Sequence, residues 1–122
     1  MTRTARALAI VLVLLLGSFA GGCSRGPGVT VRIISPADGD TVRAGVSMPV
    51  RVEIEGGHIQ GTSGEGRPGH LHLLVDRRLV EMADETAPTV TLEPGTHEIT
   101  VEFAGENHES LGVLDRVDVT AE

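Results

Sequence analysis

The sequence predicts an all-β fold, an immunoglobulin-like antiparallel sandwich of about seven strands, on three observations. Beyond Gly28 the chain breaks into short runs in which apolar and polar residues alternate with period two, as on strands with one buried face. Gly, Pro, Asp and Asn recur between these runs at intervals of about ten residues, which suits strand-to-strand turns. No window carries a helical period. The usual internal disulfide and core tryptophan of such sandwiches are missing, since the chain has one cysteine and no tryptophan.

The N-terminal segment reads differently. Arg3 and Arg6 precede an apolar run, Ala7 to Leu16, which is followed by small residues up to Gly22. Residues 1–22 therefore form a secretory signal with its charged, apolar and small-residue regions in order. The apolar run is well short of the about 20 residues that a bilayer-spanning helix needs. Cys23 follows Ala20-Gly21-Gly22 and, as the only cysteine, has no internal partner. This arrangement resembles the lipobox of bacterial lipoproteins, with Ala20 where leucine is usual. The resemblance implies cleavage before Cys23, acylation of its thiol (palmitate or a similar chain), and anchoring in the bacterial cell membrane on its extracytoplasmic side. The other reading is an ordinary cleavage site with an incidental thiol. Residues 23–28, the lipidated cysteine and a Ser-Arg-Gly-Pro-Gly tether, lead into one domain over residues 29–122.

Within that domain Val29–Ile34 reads as a first strand, and Ser35–Asp40, with Pro36 and Asp38-Gly39, as a turn. Thr41–Ser47 offers a short edge strand. Pro49 opens the next strand, in which Val50, Val52 and Ile54 point inward. Gly56–Gly69 is a long glycine-rich loop containing His58. It leads into His70–Asp76, where Leu71, Leu73 and Val75 face a core and His70 and His72 share the opposite face. Arg77-Arg78 reads as a turn, Leu79–Met82 and Thr89–Leu92 as brief strands, and Pro94-Gly95 as the centre of a type II turn. Thr96–Phe103 alternates most cleanly, with His97, Ile99, Val101 and Phe103 on one face. Ala104–Gly112 is a polar loop holding Asn107 and His108, and Val113–Thr120 closes the domain with Val117 and Val119 inward.

Composition narrows the function. All 17 acidic residues lie beyond Gly22, against eight arginines and no lysine, and so acidic a surface repels phosphate backbones and disfavours nucleic acid. Phe103 is the only aromatic residue beyond Gly22, so stacking platforms for sugars are absent and carbohydrate is disfavoured. Gly64-Glu-Gly66-Arg-Pro-Gly69 matches a dinucleotide fingerprint only formally, because it precedes a strand rather than a helix. Ser63 lacks the spacing of a nucleophile elbow, and no carboxylates are paired for acid–base work, so the sequence points away from an enzyme.

The histidines are the candidate chemistry. In immunoglobulin order, Val50–Glu55, His70–Asp76, Thr96–Phe103 and Val113–Thr120 would be strands B, C, F and G, with the B–C and F–G loops at one end. His58, His70, His72 and His108 would then gather at one pole and His97 at the other. Clustered imidazoles suit Zn²⁺ or Cu²⁺, with Glu65, Asp76, Glu106 or Glu109 available to complete a shell. The alternative is that His70 and His72 bond loop backbone and His108 is simply exposed. His97 reads as a structural histidine at the edge of the core, beside Pro94 and Gly95. Two functions fit: a small metal-coordinating binding module, and a metal-free protein-interaction or spacer domain with a protein partner in the cell envelope.

Gly64–Asp76 (Gly-Glu-Gly-Arg-Pro-Gly-His-Leu-His-Leu-Leu-Val-Asp), Leu92–Phe103 (Leu-Glu-Pro-Gly-Thr-His-Glu-Ile-Thr-Val-Glu-Phe) and Asn107-His108 together resemble an uncharacterised bacterial group, domain-of-unknown-function family 4399. Ser35–Thr41 also looks like the opening of secreted immunoglobulin-like repeats. The resemblance implies an exported, histidine-bearing β domain and no particular activity. The family's pattern carries a further histidine at the position of Leu71, where this chain departs.

Overall fold

The computed structural model describes residues 28–122, so the signal segment, Cys23 and most of the tether lie outside the described residues. Ten strands follow in order: β1 (Thr30–Ser35), β2 (Thr41–Val42), β3 (Met48–Pro49), β4 (Arg51–Glu55), β5 (Gly57–Ile59), β6 (Arg67–Val75), β7 (Arg78–Ala83), β8 (Thr89–Val90), β9 (Gly95–Ala104) and β10 (Ser110–Ala121). The larger layer runs β2-β10-β9-β6, and the outer edge of β6 is shared by β5 and β7. The second layer is built on the antiparallel pair β1–β4 and the short pair β3–β8. Val50 and Val52 extend it by donating their N–H groups to the carbonyls of Pro88 and Thr86, at 2.7 and 2.8 Å. This is the expected immunoglobulin-like sandwich. Strands B, C, F and G of the sequence reading are β4, β6, β9 and β10.

The two layers meet where the period-two alternation places apolar side chains. Leu71 and Leu73 of β6, Ile99, Val101 and Phe103 of β9, and Val50 beside β4 are fully buried. Val31, Ile33, Val52, Val117 and Val119 complete the interior. Antiparallel register sets His70 opposite Ala104, Leu71 opposite Phe103 and His72 opposite Glu102. Because Leu71 and Phe103 face inward together, His72 and Glu102 face outward together. One register choice thus seats the sole aromatic of the core and aims the histidines out of it.

Several boundaries differ from the sequence reading, each for a local reason. The glycine-rich segment is not all loop: β5 pairs in parallel with the start of β6, which begins at Arg67 rather than His70. Glycine makes this possible. A Cβ on Gly69 would collide with the Ala104 carbonyl oxygen and lie 2.7 Å from Cε1 of Phe103, so β6 approaches β9 closely there. The β6–β7 turn sits at Asp76-Arg77, one residue before the expected Arg77-Arg78. Both residues take the left-handed conformation (φ 50 and 68) that a two-residue type I′ hairpin demands. Pro94 is a bend rather than the centre of a hydrogen-bonded turn, and Gly95, at φ 128, is already the first residue of β9.

Candidate histidine site

β6 and β9 run in opposite directions, so the start of β6 lies beside the end of β9 and the loop that follows it. His70 and His72 leave β6 on its outer face, and His108 comes from the β9–β10 loop. That loop is tightly tied. His108 donates its N–H to the Gly105 carbonyl and Gly105 donates to the Glu109 carbonyl, both at 2.9 Å. The Glu109 carboxylate accepts from the Asn107 N–H at 2.9 Å and reaches Arg67 of β6 at 3.5 Å. Backbone hydrogen bonding to Glu109 holds its carboxyl below the usual range. His108, at φ 62, is therefore presented by a fixed loop rather than a loose one.

The three rings form a near-parallel group. His70 stacks on His108 with centroids 4.2 Å apart and 14° between planes, and His72 lies 5.4 Å from His108 at 9°. His72 Nε2 and His108 Nδ1 are 3.1 Å apart, so one nitrogen donates a proton and the other accepts with its lone pair. His70 Nε2–H donates to the Glu106 carbonyl at 3.1 Å. Burial pushes the His72 imidazole down, opposed by Glu102 and assisted by the neighbouring His108 and His70. Its Nδ1 lies 3.9 Å from the Glu102 carboxylate. Burial thus biases His72 toward the neutral imidazole that metal binding requires.

The fit to a metal can be worked from bond lengths. Two Zn–N bonds of about 2.0–2.1 Å meeting at a tetrahedral angle place their nitrogens about 3.3 Å apart. The 3.1 Å between His72 Nε2 and His108 Nδ1 is close to that edge, so a modest ring rotation would exchange the shared proton for a cation. Among the described residues, no group of three or more His, Cys, Asp or Glu side chains is arranged to hold an ion as it stands. His70 would have to release the Glu106 carbonyl to become a third ligand.

The remaining candidates fall elsewhere. His58 Nδ1–H donates to the Glu65 carbonyl at 3.3 Å, and the ring lines a separate recess with Asp84, Glu85 and Thr86. Among the described residues, no hydrogen bond or ring contact joins it to the other three. The strand β5 causes this, because its pairing with β6 holds His58 opposite Pro68. Glu65 and Glu106 meet the histidines through backbone carbonyls rather than carboxylates, and Glu109 is occupied by its own loop. Asp76 sits at the far end of β6. There His97 donates Nδ1–H to Asp76 Oδ2 and Nε2–H to the Glu93 carbonyl, both at 2.7 Å. Both partners are acceptors only, so the ring is an imidazolium, and the Asp76 contact raises its pKa. His97 thus ties the Glu93–Gly95 corner to Asp76 at the β6–β7 turn. Glu102, which the sequence reading set on the outward face of its strand but not among the shell carboxylates, is the carboxylate beside His72. The β6–β9 register would have revealed it.

No family model and no curated protein matches the sequence. Among solved structures, the chain is similar to the fibronectin(III)-like modules of Clostridium thermocellum CbhA. The TM-score is 0.59 at 15% identity, covering 76% of this chain and 97% of that one. The likeness is one of fold, and it agrees with the two-layer strand order above.

Proposed function

We propose that the protein is an extracytoplasmic lipoprotein module, acylated at Cys23, that binds a divalent transition metal, Zn²⁺ or Cu²⁺, at its histidine pole. The observation that carries the reading is the 3.1 Å separation of His72 Nε2 and His108 Nδ1 on a fixed loop and a fixed strand. His72 and His108 are the first two ligands, His70 is the third once it leaves the Glu106 carbonyl, and solvent or a partner completes the shell. His58 and Asp76 take no part. The module is non-catalytic in this reading: it holds a ligand or a partner, in keeping with its sandwich fold.

Calorimetric titration of the metal-stripped chain with Zn²⁺ and Cu²⁺ tests the proposal. Micromolar or tighter 1:1 binding, lost in His72→Ala and in His108→Ala but kept in His58→Ala, is the expected result. Equal weak binding in all variants would leave the histidines structural. The second reading, a metal-free interaction module, is favoured by Leu79, Val80 and Met82, which stand 52, 53 and 59% exposed on the edge strand β7. A protein partner retained by the His72→Ala/His108→Ala variant would support it.

A further inference from the structure

We infer that the anchored protein stands with its histidine pole toward the bilayer, so that this pole is the surface presented to the lipid headgroups; the inference rests on acylation of Cys23 as proposed above. The chain comes into the domain at that pole. Thr30, the first residue of β1, pairs with Glu55, the last of β4, beside the segment that starts at Gly56. A Cβ on Gly56 would collide with the Gly28 carbonyl, and one on Gly57 would lie 3.1 Å from Val29 and 3.0 Å from the Phe103 ring. The same ring lies under Gly69, the residue before His70. Gly28, the glycine segment and the start of the histidine strand therefore share one end of the sandwich. The far end holds the Asp76-Arg77 turn, the Glu93–Gly95 corner and the C-terminal residues, where Ala121 pairs with Gly95.

Reach decides the orientation. Five residue steps from Cys23 to Gly28, fully extended at about 3.6 Å each, cover at most about 18 Å. β9, ten residues long, separates the two poles by about 30 Å at about 3.3 Å per residue. The far pole cannot reach the surface while the start of β1 is held so near it, unless the domain lies on a broad side. Neither broad side offers a basic patch: Glu98, Glu102 and Asp118 stand with Arg116 on one, and Arg32 is paired with Glu53 beside Glu55 on the other. Neither therefore has an excess of positive charge by which anionic headgroups would hold the domain on its side. Whatever exchanges a ligand with His72 and His108 then works within roughly 35 Å of the membrane, the reach of the tether plus the five residue steps of β6 from Arg67 to His72.

Energy transfer tests the orientation on the full chain, expressed with its signal and reconstituted into phosphatidylethanolamine–phosphatidylglycerol vesicles carrying a headgroup acceptor. A donor is attached at Gln60→Cys, next to the histidine pole, or at Glu122→Cys, at the far pole; both positions are exposed. Transfer several-fold higher from position 60 than from 122 is expected, with the difference shrinking when a flexible insertion of about ten residues follows Pro27. Equal transfer, or more from 122, overturns the orientation. The mass of the N-terminal peptide is read separately: an unmodified Cys23 overturns the anchor itself and this inference with it. An acylated chain with inverted transfer overturns the orientation alone.

Discussion

Removing the imidazolium at the far pole should change how stability depends on pH in a calculable direction. His97 is bonded through both ring nitrogens to oxygen acceptors, and Asp76 also accepts from the Glu98 N–H at 3.0 Å. The His97 side chain is 16% exposed and that of Asp76 51%, so the pair lies between two regimes. Exposed ion pairs contribute about 0.2–1 kcal/mol, and hydrogen bonds to charged groups about 1.5–3 kcal/mol. With screening at the exposed Asp76, about 1 kcal/mol is expected for the pair. The His97 pKa is raised, chiefly by Asp76, so its contribution is complete below the unfolded value of about 6.5 and is lost as pH rises through the folded value. The Asp76 pKa is lowered, chiefly by His97, so its contribution is present above about 3.9 and is lost as pH falls through the folded value. The pair therefore stabilises most between about pH 4 and 6.5. His72, lowered by burial, acts in the opposite sense, losing stability as pH falls below about 6.5. Comparing the protein with His97→Gln cancels that contribution. Urea unfolding of both at pH 5.5 and pH 8.5 should show the unsubstituted protein ahead by about 1 kcal/mol at the lower pH and by much less at the higher. Asp76→Asn, which tolerates the left-handed turn, should abolish the same difference. Identical pH dependence in the protein and His97→Gln would refute the assignment of an imidazolium.

Two further perturbations test the scaffold around the site. Gly69→Ala places a methyl against the Ala104 carbonyl and the Phe103 ring, and should cost about 1–3 kcal/mol in urea unfolding through overpacking; a neutral result would mean that β6 and β9 are farther apart than described. Arg77→Gly relieves a side chain held at φ 68 in the second position of the β6–β7 hairpin, where glycine is preferred. Among the described residues its ion-pair partner is Glu98 at 3.8 Å, with the Arg77 side chain 87% exposed, so the substitution should raise the melting midpoint, by up to about 1 kcal/mol of stability. A clear loss would indicate a different turn.

What the sequence determined by itself was whatever depends on residues close together in the chain. The alternation in Val50–Glu55, His70–Val75 and Thr96–Phe103 specifies which side chains face the core, because a strand repeats every two residues whatever it pairs with. That was enough for the sandwich, for the inward placement of Leu71, Leu73, Val101 and Phe103, and for the outward placement of His70 and His72. The gathering of His70, His72 and His108 at one pole, with His97 at the other, also followed once an immunoglobulin strand order was assumed. Register and the additional strand were beyond reach, because they are settled by shape and backbone hydrogen bonding across long separations. Only the tertiary structure decided that the glycine segment supplies a strand, β5, which ties His58 away from the other histidines. Only the β6–β9 register set Glu102 beside His72, and only the tertiary structure gave Asp76, about 13 Å along the chain from His72, to His97 instead. The physical reason is the same throughout: periodicity is a local property of the chain, whereas register is settled by which opposing residues, here Leu71 and Phe103, can be buried together.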